Sequence, residues 1–333
     1  MLFQPAIMAL LLASAANVVV LLAVAPFAIE VIRHWKITSG SERQLMLERR
    51  TYLISALLVL VMGTQLLALL LFVFNADKMS AMFVGAMCAV GALNADAYGF
   101  PALLAEMAVF FLGAMWLAIN HVDTRAPDYP LVRTKYALLL GFVPVLVLAF
   151  ALQLQYFLGL KADVLTSCCS RVFTSEVPGL SGDLAALPPR PAMIAFFGTL
   201  LAAIGSAGFM GLRKRGGYLV ALTSLAAFIA AIAGILSFLS LYIYEHPHHH
   251  CPFCILKPEY RYQGYLLYVP LFLATAAGLG SGAVQPFGRV ASLKAIVPAT
   301  AGRLAAIAAT GFTFFGAAAA VMILKSNLKL LVP

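Results

Sequence analysis

Eight long apolar runs, separated by short polar segments, leave few folds open to this chain. They cover approximately residues 6–33, 51–75, 101–119, 136–157, 191–212, 217–244, 264–282 and 303–325. A helix needs roughly 20 apolar residues to span a bilayer, and soluble domains are about a quarter charged. Because charged residues make up only 11% of this chain, we predict an all-α integral membrane protein with about eight transmembrane helices.

A further apolar segment at 79–93 is short and rich in Ala and Gly. We predict that it forms a re-entrant or surface helix packed against protein, because irregular backbone survives at membrane depth only where it is covered. A ninth span here would reverse the orientation of every later helix. With no internal repeat or linker evident, residues 1–333 are predicted to form a single polytopic domain in the lipid bilayer, with 6–33 as an uncleaved first span.

The positions of Lys and Arg predict the orientation of the spans. Basic clusters lie within residues 33–50, 125–135, 213–215 and 289–303, and such clusters favour the cytoplasmic side. We therefore expect both termini outside a plasma membrane, which in a bacterium is the inner membrane. The net charge of +9 is scattered over these loops, so it does not indicate nucleic-acid binding.

The same topology places every cysteine on the exoplasmic side, in loops 76–100, 158–190 and 245–263. The five cysteines are Cys88, Cys168, Cys169, Cys251 and Cys254. Thiols can be oxidised in the periplasm. Cys88 stands in an apolar run without an obvious partner, and we interpret it as a buried, inert thiol.

The pair Cys251-Pro-Phe-Cys254 is the strongest chemical signal. Its spacing predicts two sulfurs on one face of a short helix that has Pro252 in its first turn and ends at Lys257-Pro258. Such a pair can exchange with a disulfide, bind a metal or form a static bridge. The adjacent Cys168 and Cys169 could exchange with it, bind a soft metal or form structural disulfides between the outer loops.

Four histidines precede this pair in the loop. Imidazole and thiolate together suit Cu and Zn. The candidate metal ligands are His246, His248, His249, His250, Cys251 and Cys254. A solvated polar loop is the alternative interpretation of the histidines.

Two further features complete the candidate site. A carboxyl within a span is costly, so Glu106 is a candidate proton carrier, with snorkelling or ion pairing as the alternative. The tyrosines around the cysteine loop mainly indicate the lipid–water interface, although Tyr260 and Tyr262 could also stack on a quinone.

The Cys251–Cys254 pair, with a second pair in another outer loop, resembles the membrane disulfide oxidases and vitamin K epoxide reductases. The resemblance is limited to the cysteine loop, since those families have fewer spans and no histidine cluster. It implies that a quinone reoxidises Cys251 and Cys254, and that Cys168 and Cys169 pass oxidation to a client.

Two functional hypotheses follow, and the sequence leaves enzymatic activity open. The first is a membrane thiol–disulfide oxidoreductase, which exchanges electrons among the two cysteine pairs and a quinone, with a periplasmic thiol protein as partner. The second is a Cu- or Zn-binding membrane protein for metal delivery or transport, with a metallochaperone as partner. A structural subunit stapled by disulfides is a third alternative.

Overall fold

The structure, a computed structural model, describes residues 4–161 and 187–330, and over these residues it is helical without strands. The α-helices are α1 (Pro5–His34), α2 (Glu42–Met79), α3 (Ala89–Leu93), α4 (Gly99–Asp123), α5 (Val132–Gly159), α6 (Pro189–Arg213), α7 (Gly217–Gly234), α8 (Ser240–Tyr244), α9 (Gln263–Val284) and α10 (Ile296–Lys325). A π-helical turn at Ile235–Leu239 joins α7 to α8.

Within the described residues, eight helices are long and apolar enough to cross a membrane, counting Gly217–Tyr244 as one. The prediction of an all-α multi-pass membrane fold is confirmed. Two helices begin well before their apolar runs, which start near residues 51 and 303: α2 begins at Glu42 and α10 at Ile296. Hydropathy marks only the apolar part of a helix, whereas residues such as Glu, Arg, Leu and Met favour helix beyond it as well.

Residues 79–93 contain no helix long enough to span a membrane, in agreement with the prediction, but they do not form one helix either. A 3₁₀ turn covers Ser80–Met82, and all five residues of α3 are buried. Gly85 has a φ of 90°, a left-handed conformation that glycine adopts at little cost and that interrupts the helix. The segment is therefore a covered turn followed by a short internal helix.

The chain forms two compact units. The first unit comprises the described residues up to 75, residues 96–161 and residues 286–298. In it, α5 packs against both α1 and α4. The ring of Tyr136 meets the edge of Phe27 at a centroid distance of 5.7 Å, within an apolar core that also contains Trp116 and Phe142.

The second unit comprises residues 76–95, the described residues from 187 to 285, and residues 299–330. Here α7 packs against both α6 and α9. The approach of α7 to α9 is close because small residues face each other: a Cβ at Gly278 would overlap the side chain of Ser224. Small residues at such interfaces let helix backbones approach in membranes.

We expect Gly282→Ala to lower the free energy of unfolding by about 1–3 kcal/mol, the usual cost of overpacking. The added Cβ would lie 2.5 Å from the Cβ of Ala221 and 3.2 Å from the carbonyl oxygen of Gly217. Thermal unfolding in detergent measures the effect. Gly205→Ala is the matched control, because its added Cβ would meet no side chain or neighbouring helix of the described residues within 4 Å. An equal loss in both variants would contradict the packing argument.

Candidate functional site

Three buried cysteines of the second unit meet at one point. The Sγ atoms of Cys88, Cys251 and Cys254 all lie within 4.8 Å of one another. The Sγ atoms of Cys88 and Cys251 are 3.4 Å apart, well beyond the ~2.05 Å of a disulfide bond. The side chains are 0%, 0% and 6% exposed, with Cys254 the most exposed. The arrangement is a compact thiol cluster closed to solvent.

Cys88 joins the cluster from the segment that precedes α3. Its backbone is extended, with φ −154° and ψ −177°, and α3 begins at the next residue. The expectation of a buried thiol holds, but the expectation that Cys88 has no partner is wrong. Hydropathy could not reveal the contact. The placement of Cys88 on the same predicted side as the other cysteines was the one available signal.

The local structure of the Cys251–Cys254 pair differs from the predicted helix. A 3₁₀ turn covers Cys254–Leu256, and Cys251 lies before it. Lys257 is extended before Pro258, as a residue preceding proline prefers to be. The cysteines therefore belong to a loop that ends in a single tight turn, and they do not share one face of a helix.

Two tyrosine hydroxyls hold this loop by its backbone. The hydroxyl of Tyr244 donates to the carbonyl oxygen of Cys251 at 2.5 Å, and that of Tyr268 donates to the carbonyl oxygen of Pro252 at 2.6 Å. These two tyrosines thus do more than mark the lipid–water interface. They come from the two helices that flank the loop, and they fix the first two residues of the Cys251–Cys254 motif.

The π-helical turn contributes a third support. Such turns are frequent at functional sites because they leave backbone groups without their usual helical partners. The carbonyl oxygen of Leu236 lies 2.7 Å from Nδ1 of His250, so Nδ1 carries the proton and donates. Burial lowers the pKa of His250 below its usual value, and the ring beside Cys251 is therefore neutral at neutral pH.

Comparison with known proteins finds no matching family model, no matching curated protein and no matching solved structure. The chemistry of the cluster must therefore support any functional conclusion by itself.

The other predicted histidine ligands lie in the first part of the loop, before Cys251. His246 and His248 are exposed, and the backbone N–H of His248 donates to Nδ1 of His246 at 3.3 Å. The ring of His249 stacks on Tyr244 at a centroid distance of 4.2 Å. Nε2 of His249 is buried and has no hydrogen-bond partner among the described residues. That the histidines bind metal stays a prediction.

Among the remaining predicted residues, two are tyrosines of the cysteine loop and two are cysteines outside the described residues. Tyr260 packs edge-on against Tyr244 at 4.6 Å, and Tyr262 is exposed beside Tyr265. Their proposed contact with a quinone stays a prediction. Cys168 and Cys169 lie outside the described residues.

Glu106 belongs to the first unit, on α4. It is fully buried, and its Oε1 accepts a hydrogen bond from Nε2 of Gln153 at 3.2 Å. Neither snorkelling nor an ion pair accounts for it among the described residues, because its partner is a neutral amide. A role in proton transfer stays a prediction.

An ion pair ties the two cysteine-bearing segments together. Nζ of Lys257, three residues after Cys254, lies 3.1 Å from Oδ1 of Asp77. The same nitrogen donates to Oγ of Ser80 at 3.1 Å. Both charged side chains are 20% exposed. This contact fixes the loop that carries Cys254 to the segment that leads to Cys88.

We expect Lys257→Met to increase the rate at which a maleimide labels Cys88, by about tenfold, because a contact of about 1–2 kcal/mol that keeps the segments together is lost. The measurement is mass-spectrometric labelling of the detergent-purified protein over time. The exchanged pair Lys257→Asp/Asp77→Lys should restore slow labelling. A rate unchanged in Lys257→Met would show that the ion pair does not hold the segments.

Proposed function

We propose that this chain is a membrane protein that binds a soft transition-metal ion, Cu(I) or Zn(II), through Cys88, Cys251 and Cys254. The observation that supports this function best is the convergence of three buried sulfurs within 4.8 Å of one another. Thiolate sulfur is the preferred protein ligand of Cu(I) and a common ligand of Zn(II). Delivery and transport are both compatible with such a site.

The spacing of the sulfurs fits one shared ion. Metal–sulfur bonds of about 2.3 Å place sulfur atoms about 3.8–4.0 Å apart in tetrahedral or trigonal geometry. The separation of 3.4 Å between Cys88 and Cys251, and the upper limit of 4.8 Å within the cluster, lie on either side of that value. Small side-chain adjustments would therefore suffice to bring all three sulfurs into coordination.

Burial favours metal binding over exchange with a client protein. A mixed disulfide requires direct attack of one sulfur on another, yet Cys88 and Cys251 are 0% exposed and Cys254 is 6% exposed. An ion needs a far smaller opening than a protein thiol does. Metal binding to thiols also releases protons, so a bound cation would offset part of the thiolate charge in the buried cluster.

The test combines metal analysis with thiol counting on the detergent-purified, full-length protein. About one equivalent of metal per chain is the expected stoichiometry for a single thiolate site, and Cys88→Ser should lose it. Cys168→Ser/Cys169→Ser is the control for cysteine removal, and it should keep the metal. A protein that takes up neither Cu(I) nor Zn(II) under anaerobic, reducing conditions would contradict the proposal.

Thiol–disulfide chemistry is the second candidate, because Cys88 and Cys251 are within 3.4 Å. Joining their sulfurs would release two protons and two electrons, which a membrane quinone would take up to become a quinol. Mass-tagging of thiols before and after addition of quinone tests this candidate. The appearance of a Cys88–Cys251 bridge in a metal-free protein would favour it over metal binding.

A further inference from the structure

A small basic cleft opens in the first unit where the chain passes from α1 to α2. Its volume is about 200 Å³, and Arg33, Lys36 and Arg43 line it together with Ser39 and Ser41. These residues lie between the last turn of α1 and the first turn of α2, so one continuous stretch of chain forms the cleft. The volume is below the range of sites that enclose a whole drug-sized molecule, and it therefore suits a head group.

The basic side chains of this cleft are open to a ligand. Arg33, Lys36 and Arg43 are all exposed, and neither Arg33 nor Lys36 forms an ion pair within the described residues. Nη2 of Arg43 lies 3.2 Å from Oε1 of Glu30, yet the side chain of Arg43 is still 54% exposed. A guanidinium has five N–H donors, so this one contact leaves most of them for another partner.

The charge of the cleft favours an anion. Its described lining contains Arg33, Lys36 and Arg43 but no acidic side chain. Glu30 compensates Arg43, and Glu42, although it begins α2, is not part of the lining. The positive charges of Arg33 and Lys36 therefore stay uncompensated.

The start of α2 adds neutral donors. Ser41 precedes the helix, and its Oγ accepts the backbone N–H of Gln44 at 3.3 Å and the hydroxyl of Ser39 at 3.1 Å. These contacts leave the hydroxyl hydrogen of Ser41 for a ligand, and Ser41 is exposed. The N-terminus of a helix also favours negative charge. Together with the basic side chains, these groups suit the oxygens of a phosphate, which accept several hydrogen bonds at once.

The cleft lies at the end of a membrane-spanning helix and beside apolar surface. Arg43 reaches Glu30, about one turn before α1 ends, so its guanidinium is level with the end of that span. Exposed apolar side chains occur beside the basic ones along the chain: Ile29 and Ile37 are each 41% exposed, and Leu45 is 61% exposed. A soluble phosphate would gain nothing from this apolar surface, whereas acyl chains would pack on it.

We propose that this cleft binds the phosphate of an anionic phospholipid from the leaflet at this end of α1 and α2. Arg33, Lys36 and Arg43 would hold the phosphate oxygens, while the acyl chains lie along the exposed apolar surface of the two helices. Basic pockets between membrane helices bind such head groups. The site does not depend on the thiol cluster. It gives the basic residues of this segment a role beyond the orientation of the spans.

Native mass spectrometry of the detergent-purified, full-length protein, titrated with dioleoylphosphatidylglycerol, measures this binding directly. We expect Arg33→Gln/Lys36→Gln to weaken the tightest binding event by about 25-fold, because each basic side chain near an anionic lipid contributes about a fivefold effect. Lys36→Gln alone should weaken it by about fivefold. The matched control is Arg213→Gln/Arg215→Gln, which removes two exposed basic side chains where α6 ends and should leave this event unchanged.

Thermal unfolding of each variant identifies any that fails to fold, and Lys36→Gln alone decides if the double variant does. An unchanged affinity in the cleft variants, or an equal loss in the control, would overturn the proposal. So would dioleoylphosphatidylcholine that binds as tightly as dioleoylphosphatidylglycerol, because the head-group charge would then not be recognised. Displacement of the lipid by inorganic phosphate, at an ionic strength where sodium chloride does not displace it, would show that the ligand is soluble phosphate and would also overturn it.

Discussion

Cys88→Ser is expected to lower the affinity of the protein for Cu(I) by about two to three orders of magnitude. Structural zinc sites gain about 10–16 kcal/mol from their full ligand set, which is roughly 3 kcal/mol per ligand or about a hundredfold to a thousandfold. Competition against a calibrated chelator under anaerobic conditions measures the loss. Cys254→Ser should produce a loss of similar size, because both sulfurs belong to the same buried cluster.

The control for Cys88→Ser is Cys168→Ser/Cys169→Ser, which alters the two cysteines that are not among the proposed ligands. It should leave the affinity within a few-fold of the wild type. A small effect of Cys88→Ser on the affinity, combined with a large effect of the control, would show that the metal site is not the buried cluster. Because Cys88 was recognised from the structure alone, this variant tests the geometry and not the C-x-x-C motif.

Lys135→Met is expected to lower the free energy of unfolding by about 3–5 kcal/mol, the usual cost of removing one partner of a buried ion pair. Lys135 is 1% exposed, and Asp123 is fully buried. The carboxylate of Asp123 would lose its counterion, although its Oδ1 would still accept the backbone N–H of Leu131 at 2.7 Å. Denaturant titration in mixed detergent micelles measures the change.

Two variants separate charge from packing at this pair. Lys135→Met/Asp123→Asn should recover much of the stability, because an amide can still accept from Leu131 without carrying a charge. Arg43→Met removes the exposed pair with Glu30, in which the side chains are 54% and 35% exposed, and it should cost at most about 1 kcal/mol. If the double variant is as unstable as Lys135→Met, the loss of stability is due to packing and not to the unpaired charge.

The spans could be predicted from local sequence properties. The thiol cluster could not, because it depends on contacts between residues far apart in the sequence. An apolar run can be recognised from its own residues alone, so all eight spans could be predicted. The contact between Cys88 and Cys251 joins residues 163 positions apart, and it depends on how α3 packs inside the second unit. Nothing in the residues around either cysteine encodes that packing.

The same dependence on long-range contacts explains why the burial of Lys135 could not be predicted from the sequence. In the sequence it belongs to a basic cluster that indicates orientation, and its neighbour Arg133 is consistent with that role. The structure buries Lys135 against Asp123 and Asn120, a partnership that requires the ends of α4 and α5 to meet. Charge counting treats every lysine in a loop alike, whereas burial distinguishes them.

The wide sequence separation within the thiol cluster has a consequence for biosynthesis. Cys88 leaves the ribosome 163 residues before Cys251, so the early part of the chain must wait for most of the later spans before its thiol acquires neighbours. An ion that requires all three sulfurs therefore cannot bind the nascent chain. It can bind only after the second unit has been synthesised and folded. Since a ligand stabilises the state that binds it, metal supply would act as a quality signal, separating completed molecules from stalled ones.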